Sequence, residues 1–209
     1  FVEEDKKKKD ILGADKVPLQ KGRFGLLPKN LETLLDSEIK ADSKIIFMRQ
    51  GIEVNDKYSF LSAMAYYVFK NNFTVEELVQ TIIKKLDIIT FLKINNGNLV
   101  KQFSPNLDYA TFKIEYNFKP FEIFCKRYKN DILFLKGNKL LDDYDFSNLK
   151  NDLAIDGKIR RIYTIFLAFE YFKKYLGDMN ILKDYRLLWH LFSMPIPWIN
   201  TSKDFKGLN

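Results

Sequence analysis

Cysteine and histidine are the scarcest chemistry in this chain, whose 209 residues contain one of each, Cys125 and His190. A single thiol excludes an internal disulfide framework and any zinc site built from several thiolates, because both need cysteines in pairs or quartets. A single imidazole excludes a histidine cluster in the same way. The count leaves a Ser-His or Cys-His pair open, but neither Phe124-Cys125-Lys126 nor Trp189-His190-Leu191 has the surroundings of a nucleophile signature, and both residues read as packing. Long apolar runs are missing too. No stretch approaches the roughly 18 to 20 residues that a bilayer requires. Charged residues make up 29% and mean hydropathy is -0.24, so the sequence reads as a soluble chain without membrane partners. With 46% hydrophobic and 15% aromatic residues it has the apolar material of an ordinary packed domain.

Positive charge is what the chain has in excess. The formal net charge is +7 and the pI about 9.2, which points to an acidic partner such as nucleic acid. Of the 34 basic residues 28 are Lys and 6 are Arg, beside 20 Ile, 19 Phe and 16 Asn. These lysines, isoleucines, phenylalanines and asparagines share A/T-rich codons, so nucleotide bias explains part of the charge and the six arginines carry more information. The chain starts at Phe1 and ends on Asp204-Phe205-Lys206-Gly207-Leu208-Asn209, which reads as a segment of a longer protein. The triplets Asn72-Phe73-Thr74 and Asn200-Thr201-Ser202 are chance matches to a glycosylation acceptor in so Asn-rich a chain.

The pattern predicts an all-α protein, an irregular multi-helix bundle preceded by a Gly/Pro-rich loop. Residues 1–30 form a charged tail and that loop, 31–200 a helical domain with sub-lobes at 31–135 and 151–200, and 201–209 the start of a further segment. The opening block FVEEDKKKKD reads as a solvated end. Gly13, Pro18, Gly22, Gly25 and Pro28 then fall within sixteen residues, a density that marks non-repetitive turns. Inside it, Lys21-Gly22-Arg23-Phe24-Gly25 has two readings. Its backbone can approach a phosphate or a partner closely, with Arg23 as the charged contact, or the turn tucks Phe24, Leu26 and Leu27 into the core. No Gly-Lys-Ser/Thr ending makes it a nucleotide loop.

Helical signals follow. Asn30 is a candidate cap for a helix with Leu31, Leu34, Leu35 and Ile39 on one face. The run FLSAMAYYVF from Phe60 predicts a helix buried on several sides. Thr74 and Glu77 have capping-box spacing ahead of Leu78, Val79, Ile82, Ile83 and Leu86. Asn95-Asn96-Gly97-Asn98 is a helix stop. Residues 107–118 fit both a strand alternation and a helical stripe, with helix favoured, and 121–135 continue as helix with Cys125 among apolar neighbours. Gly137-Asn138 with Asp142, Asp143 and Asp145 makes a surface connection without the ligand spacing of a calcium loop.

The longest predicted helix starts at the N-cap Asp156 and runs to Leu176, with one charge, Glu170, between Ile162 and Phe172, as expected deep in a bundle. Lys173 and Lys174 suit its C-terminus, whereas Lys158, Arg160 and Arg161 crowd its first turns. There each cation costs an exposed helix roughly 0.3 to 1 kcal/mol. Either a polyanion or a salt bridge to the Asp142–Asp145 cluster would account for them. A last amphipathic helix, Asp184 to Phe192, contains Trp189.

Four segments in order, GRFGLLPKNL (22–31), FMRQGIEVNDKYSFLSAMA (47–65), FLKINNGNLVKQF (91–103) and YRLLWHLFSMP (185–195) with GLN (207–209), together with KIRRIYTIFLAFEYFKKYL (158–176), carry a resemblance. They resemble a region of nucleocytoplasmic large DNA virus proteins related to the large subunit of the poxvirus early transcription factor. The resemblance spans nearly the whole chain. It implies a DNA-binding initiation factor that recognises A/T-rich early promoters in double-stranded DNA beside a helicase-like ATPase partner subunit. It further implies recruitment of the viral RNA polymerase, with a location in the virion and in viral factories of the host cytoplasm. In such proteins a cysteine-pair segment precedes the Gly-Arg-Phe-Gly loop. These 209 residues do not contain it, so no metal or redox role carries over, and neither a catalytic residue nor a cofactor is implied. The candidate DNA contacts are Lys21, Arg23 and Lys29 around the glycine loop, and Lys158, Arg160 and Arg161 at the long helix. The competing expectation is a virion structural or scaffold module that binds proteins and no DNA. An enzyme is the weakest reading, since nothing pairs carboxylates such as Glu53 and Asp87 in sequence.

Overall fold

A computed structural model of the chain describes residues 11–36, 47–69, 74–106, 119–128, 152 and 155–193. The charge block at 1–10, Ile39, the ambiguous 107–118, the end of the predicted helix at 129–135, the Asp142–Asp145 cluster and the last segment lie outside the described residues. The described chain is predominantly helical, as the periodicity predicts, and divides into two compact units, Phe1–Val75 and Glu76–Asn209. Segmentation by composition places breaks near residues 30, 135 and 151, whereas the compact units meet in sequence after Val75.

The first unit holds a feature absent from the sequence reading, a three-stranded sheet inside and beyond the Gly/Pro-rich loop. Strands β1 (Ile11–Leu12), β2 (Phe24–Leu26) and β3 (Met48–Gln50) lie in that order. β1 runs parallel to β2, with Ile11 opposite Phe24, and β2 antiparallel to β3, with Gly25 opposite Arg49. Strands of two or three residues are too short to show alternation, which is why only their turns are legible. Two residues build the assembly. Gly51 lies so close to the preceding loop that a Cβ would stand 1.9 Å from the Gln20 carbonyl oxygen and 2.7 Å from its carbon. That approach lets Gly22 N donate to Gly51 O and Gly51 N to Arg23 O, both at 2.8 Å. Gly22 itself has φ 81°, in the left-handed region that glycine adopts without cost. The Arg49 guanidinium then ties the loop down. Nε donates to Leu26 O at 2.9 Å, and Nη2 reaches the carbonyls of Gly13, Ala14 and Lys16 at 3.1 to 3.2 Å.

Helix α1 (Lys29–Asp36) follows β2. The carbonyl of Pro28 accepts from Leu31 N and Glu32 N, so the helix begins ahead of the predicted cap Asn30. Its leucines, predicted to be a core face, are exposed: Leu31 47%, Leu34 62% and Leu35 38%. Helix α2 (Ser59–Phe69) buries Leu61 and Ala65 but leaves Tyr67 exposed, so its burial is less complete than its composition predicts. Ser62 Oγ is buried in this helix without a hydrogen-bond partner among the described residues.

Side chains rather than backbone contacts dominate the second unit. Helix α3 (Val75–Lys85) starts directly after Thr74, with Glu76 and Glu77 in its first turn and Lys84 and Lys85 in its last, each pair matched to the helix dipole. Asp87 caps α4 (Ile88–Lys93) by accepting from Thr90 N at 2.7 Å. The predicted stop is a 3-10 turn, Ile94–Gly97, in which Asn95, Asn96 and Gly97 all have positive φ, and α5 (Asn98–Phe103) leaves it in a new direction. After α6 (Lys119–Tyr128) comes the long helix α7 (Gly157–Gly177) and then α8 (Tyr185–Ser193). Asp156 is the N-cap of α7, as predicted, accepting from Lys158 N at 2.7 Å and Ile159 N at 3.3 Å.

α7 packs on α5 and α6, and aromatic rings join it to α4, α5 and α6. Phe91 meets Phe169 and Phe172 with centroids 5.4 and 5.5 Å apart, Phe121 meets Tyr163 edge-on at 5.0 Å, and Phe124 meets Phe166 at 5.2 Å. Tilted pairs of this kind contribute roughly 0.5 to 1.5 kcal/mol each beyond their buried area. Cys125 is buried among them, and burial pushes its thiol up to about 12, which makes it inert. His190 Nδ1 accepts from Asn95 N at 2.7 Å and so anchors α8 to the left-handed turn. At the far end of α7 the buried Lys183 donates to the carbonyls of Tyr175 and Asp178 and stacks 4.7 Å over the Tyr175 ring, covering acceptors that the helix end leaves open. Burial holds the Lys183 ammonium below the usual lysine range, with Asp178 opposing the shift.

Candidate polyanion interface

The six predicted contacts fall into the two units, three in each. In the first, Lys21 and Arg23 flank the left-handed Gly22, and Lys29 opens α1. Lys21 Nζ lies 3.2 Å from Glu53, so its charge is partly compensated, and both groups are exposed. Arg23 is half-buried, with its backbone N–H on Gln20 O and its carbonyl on Gly51 N. The loop therefore leaves Phe24 and Leu26 exposed, with Gly25 buried between them, so the tucked-turn reading fails for Phe24 and Leu26.

In the second unit Lys158, Arg160 and Arg161 stand in the first two turns of α7. Lys158 and Arg161, three residues apart, share a face and are exposed, while Arg160 is half-buried. The Asp156 carboxylate is engaged with the helix N–H groups, and a shallow depression of about 530 Å³ lined by Asp152, Ile155, Asp156, Gly157 and Lys158 lies beside it. Among described residues the second unit carries fourteen Lys and Arg against nine Asp and Glu, and the first six against five. Among the described residues the larger positive excess thus lies in the second unit.

Of the carboxylates that the sequence left unassigned, Glu53 lies 3.2 Å from Lys21 and Asp87 caps α4. Among the described residues no group of three or more His, Cys, Asp or Glu gathers to hold a metal, and no helix is long and apolar enough to cross a membrane.

A second feature escaped the sequence reading. The C-terminal ends of α5 and α7 border an open groove of about 750 Å³ lined by Phe103, Tyr171 and Tyr175, with Gln102, Lys174 and Asp178 among its polar groups. Its sequence signal is faint, a tyrosine and a lysine three residues apart on the solvent side of an otherwise apolar helix. No protein-family model, curated protein or solved structure matches the chain.

Proposed function

We propose that the chain is part of the large subunit of a viral early transcription initiation factor, contributing to promoter DNA binding and to recruitment of the viral RNA polymerase. Beside a helicase-like ATPase partner subunit it acts on A/T-rich duplex, in the virion and in viral factories of the host cytoplasm. The observation that carries this reading is the position of Lys158, Arg160 and Arg161. Cations at a helix start work against the dipole, and a phosphate backbone alongside them offsets that cost. The α7 group leads, and Lys21, Arg23 and Lys29 form a second, weaker contact. The resemblance of the five sequence segments supports the transcription role.

A virion scaffold module without DNA binding is the second reading, favoured by the exposed apolar residues Phe24, Leu26, Leu31, Leu35 and Met48 of the first unit. Electrophoretic mobility shift on A/T-rich duplex across a salt range, with size-exclusion of the chain mixed with viral polymerase, separates the two. The transcription reading requires salt-sensitive duplex binding and co-elution. Absence of both leaves the scaffold.

A further inference from the structure

We infer that the groove at the C-terminal ends of α5 and α7 seats one unpaired base of a single-stranded nucleic acid, whose backbone follows the solvent side of α7 toward Arg160. The inference rests on the reading of α7 as a polyanion-facing helix and extends it to the helix's other end.

The solvent side of α7 is ordered for this. At 100° per residue Arg160, Thr164, Leu167, Tyr171 and Lys174 fall on one stripe. The stripe runs roughly 21 Å, with a cation at either end. Tyr171 is 40% exposed, and Lys174 Nζ stands 5.5 Å from its ring centroid, so an aromatic face and a cation meet at the rim of the groove. That pairing of a stacking surface with a phosphate-binding charge is how proteins hold single strands without reading sequence. Phe103, packed against Phe172 and Tyr175 at 5.1 and 5.3 Å, gives the groove a rigid apolar floor.

Glu170 on α7 pairs with Lys173 and the carbonyl end of the helix is covered by Lys183, which leaves Lys174 and Asp178 as the charged side chains that line the groove. One carboxylate oxygen of Asp178 accepts from Asn180 N at 2.9 Å. Asp178 and Gln102 give the walls an acceptor and an amide of the kind that meets the amino and imide groups of a base edge. A paired base hides that edge, so a duplex reaches the groove only by extruding a nucleotide.

Fluorescence anisotropy of a labelled single strand of about 15 nucleotides, and of the same sequence as duplex, tests this on the 209-residue chain. Tyr171→Ala is expected to weaken single-strand binding roughly fivefold to a hundredfold while leaving duplex binding unchanged, with Tyr171→Phe restoring it. Lys174→Ala is expected to lower the salt slope for the single strand by about one contact. If Tyr171→Ala and Lys174→Ala bind single strand as wild type does, while alanine at Lys158, Arg160 and Arg161 weakens both forms, the groove is no base seat although the polyanion reading stands. If that triple variant also changes nothing, the polyanion reading falls with it. Displacement of the strand by an equimolar unrelated peptide would assign the groove to a protein and overturn the inference.

Discussion

Residues 11–26 and 48–51 are held by backbone: Gly51 lies against the Gln20 carbonyl, and one arginine, Arg49, gathers four carbonyl oxygens. The described residues of the second unit are held by side chains, with Phe91, Phe121, Phe124 and Phe172 packed ring to ring against or along α7. The difference decides where each unit is vulnerable. A backbone-built sheet tolerates change at its exposed side chains and fails at a glycine, while an aromatic core fails wherever a ring is removed.

The largest effect is expected from Phe172→Ala. The ring is fully buried and touches Phe91 and Phe103, and truncation of such a side chain costs about 3 to 5 kcal/mol. Cys125 supplies the readout. Its thiol is buried and pushed up to about 12, so it stays unreactive toward a disulfide reagent at neutral pH until its surroundings open, and Phe172→Ala should accelerate labelling. Unchanged labelling and stability would show that the second unit does not depend on its rings.

Next comes Gly51→Ala, where one methyl group must displace the Gln20 backbone rather than a flexible side chain. The expected cost is about 3 kcal/mol, read as lost hydrogen-exchange protection at residue 51 and at Gly22, whose amides bond across this approach. Retained protection would mean that the first unit is not built on that contact. The smallest effect is Ser62→Ala. Its hydroxyl is buried without a partner among the described residues, so removal is expected to stabilise by about 0.5 to 1 kcal/mol in urea denaturation. A loss would reveal a hydrogen bond made by that hydroxyl.

Legibility in the sequence divides along the same line. Asp156, the Asn95-Asn96-Gly97 stop, the apolar middle of α7 and the inert Cys125 were readable because helix caps, left-handed turns and 3.6-residue stripes act between neighbours in the chain. The sheet was not, because its register links residue 11 to 24 and 24 to 50 through strands too short to carry a period. The face of α1 was misread for a related reason. Leu31, Leu34 and Leu35 form a regular stripe, but periodicity marks an apolar face and does not say what covers it. Of the candidate interface, the α7 cations were visible as a conflict with the helix dipole, whereas the groove joins Phe103 to Tyr171 and Tyr175, far along the chain, and leaves no local mark.

The assignment of phosphate contact to the second unit is tested most directly by salt titration of A/T-rich duplex binding with two triple alanine variants side by side. One neutralises Lys158, Arg160 and Arg161, the other Lys21, Arg23 and Lys29. The first is expected to lower affinity and reduce the slope of log K against log salt by up to about 2.7, since each lost phosphate contact removes about 0.9. The second is expected to change it by less. A Lys158/Arg160/Arg161 variant whose titration superimposes on wild type would contradict the account.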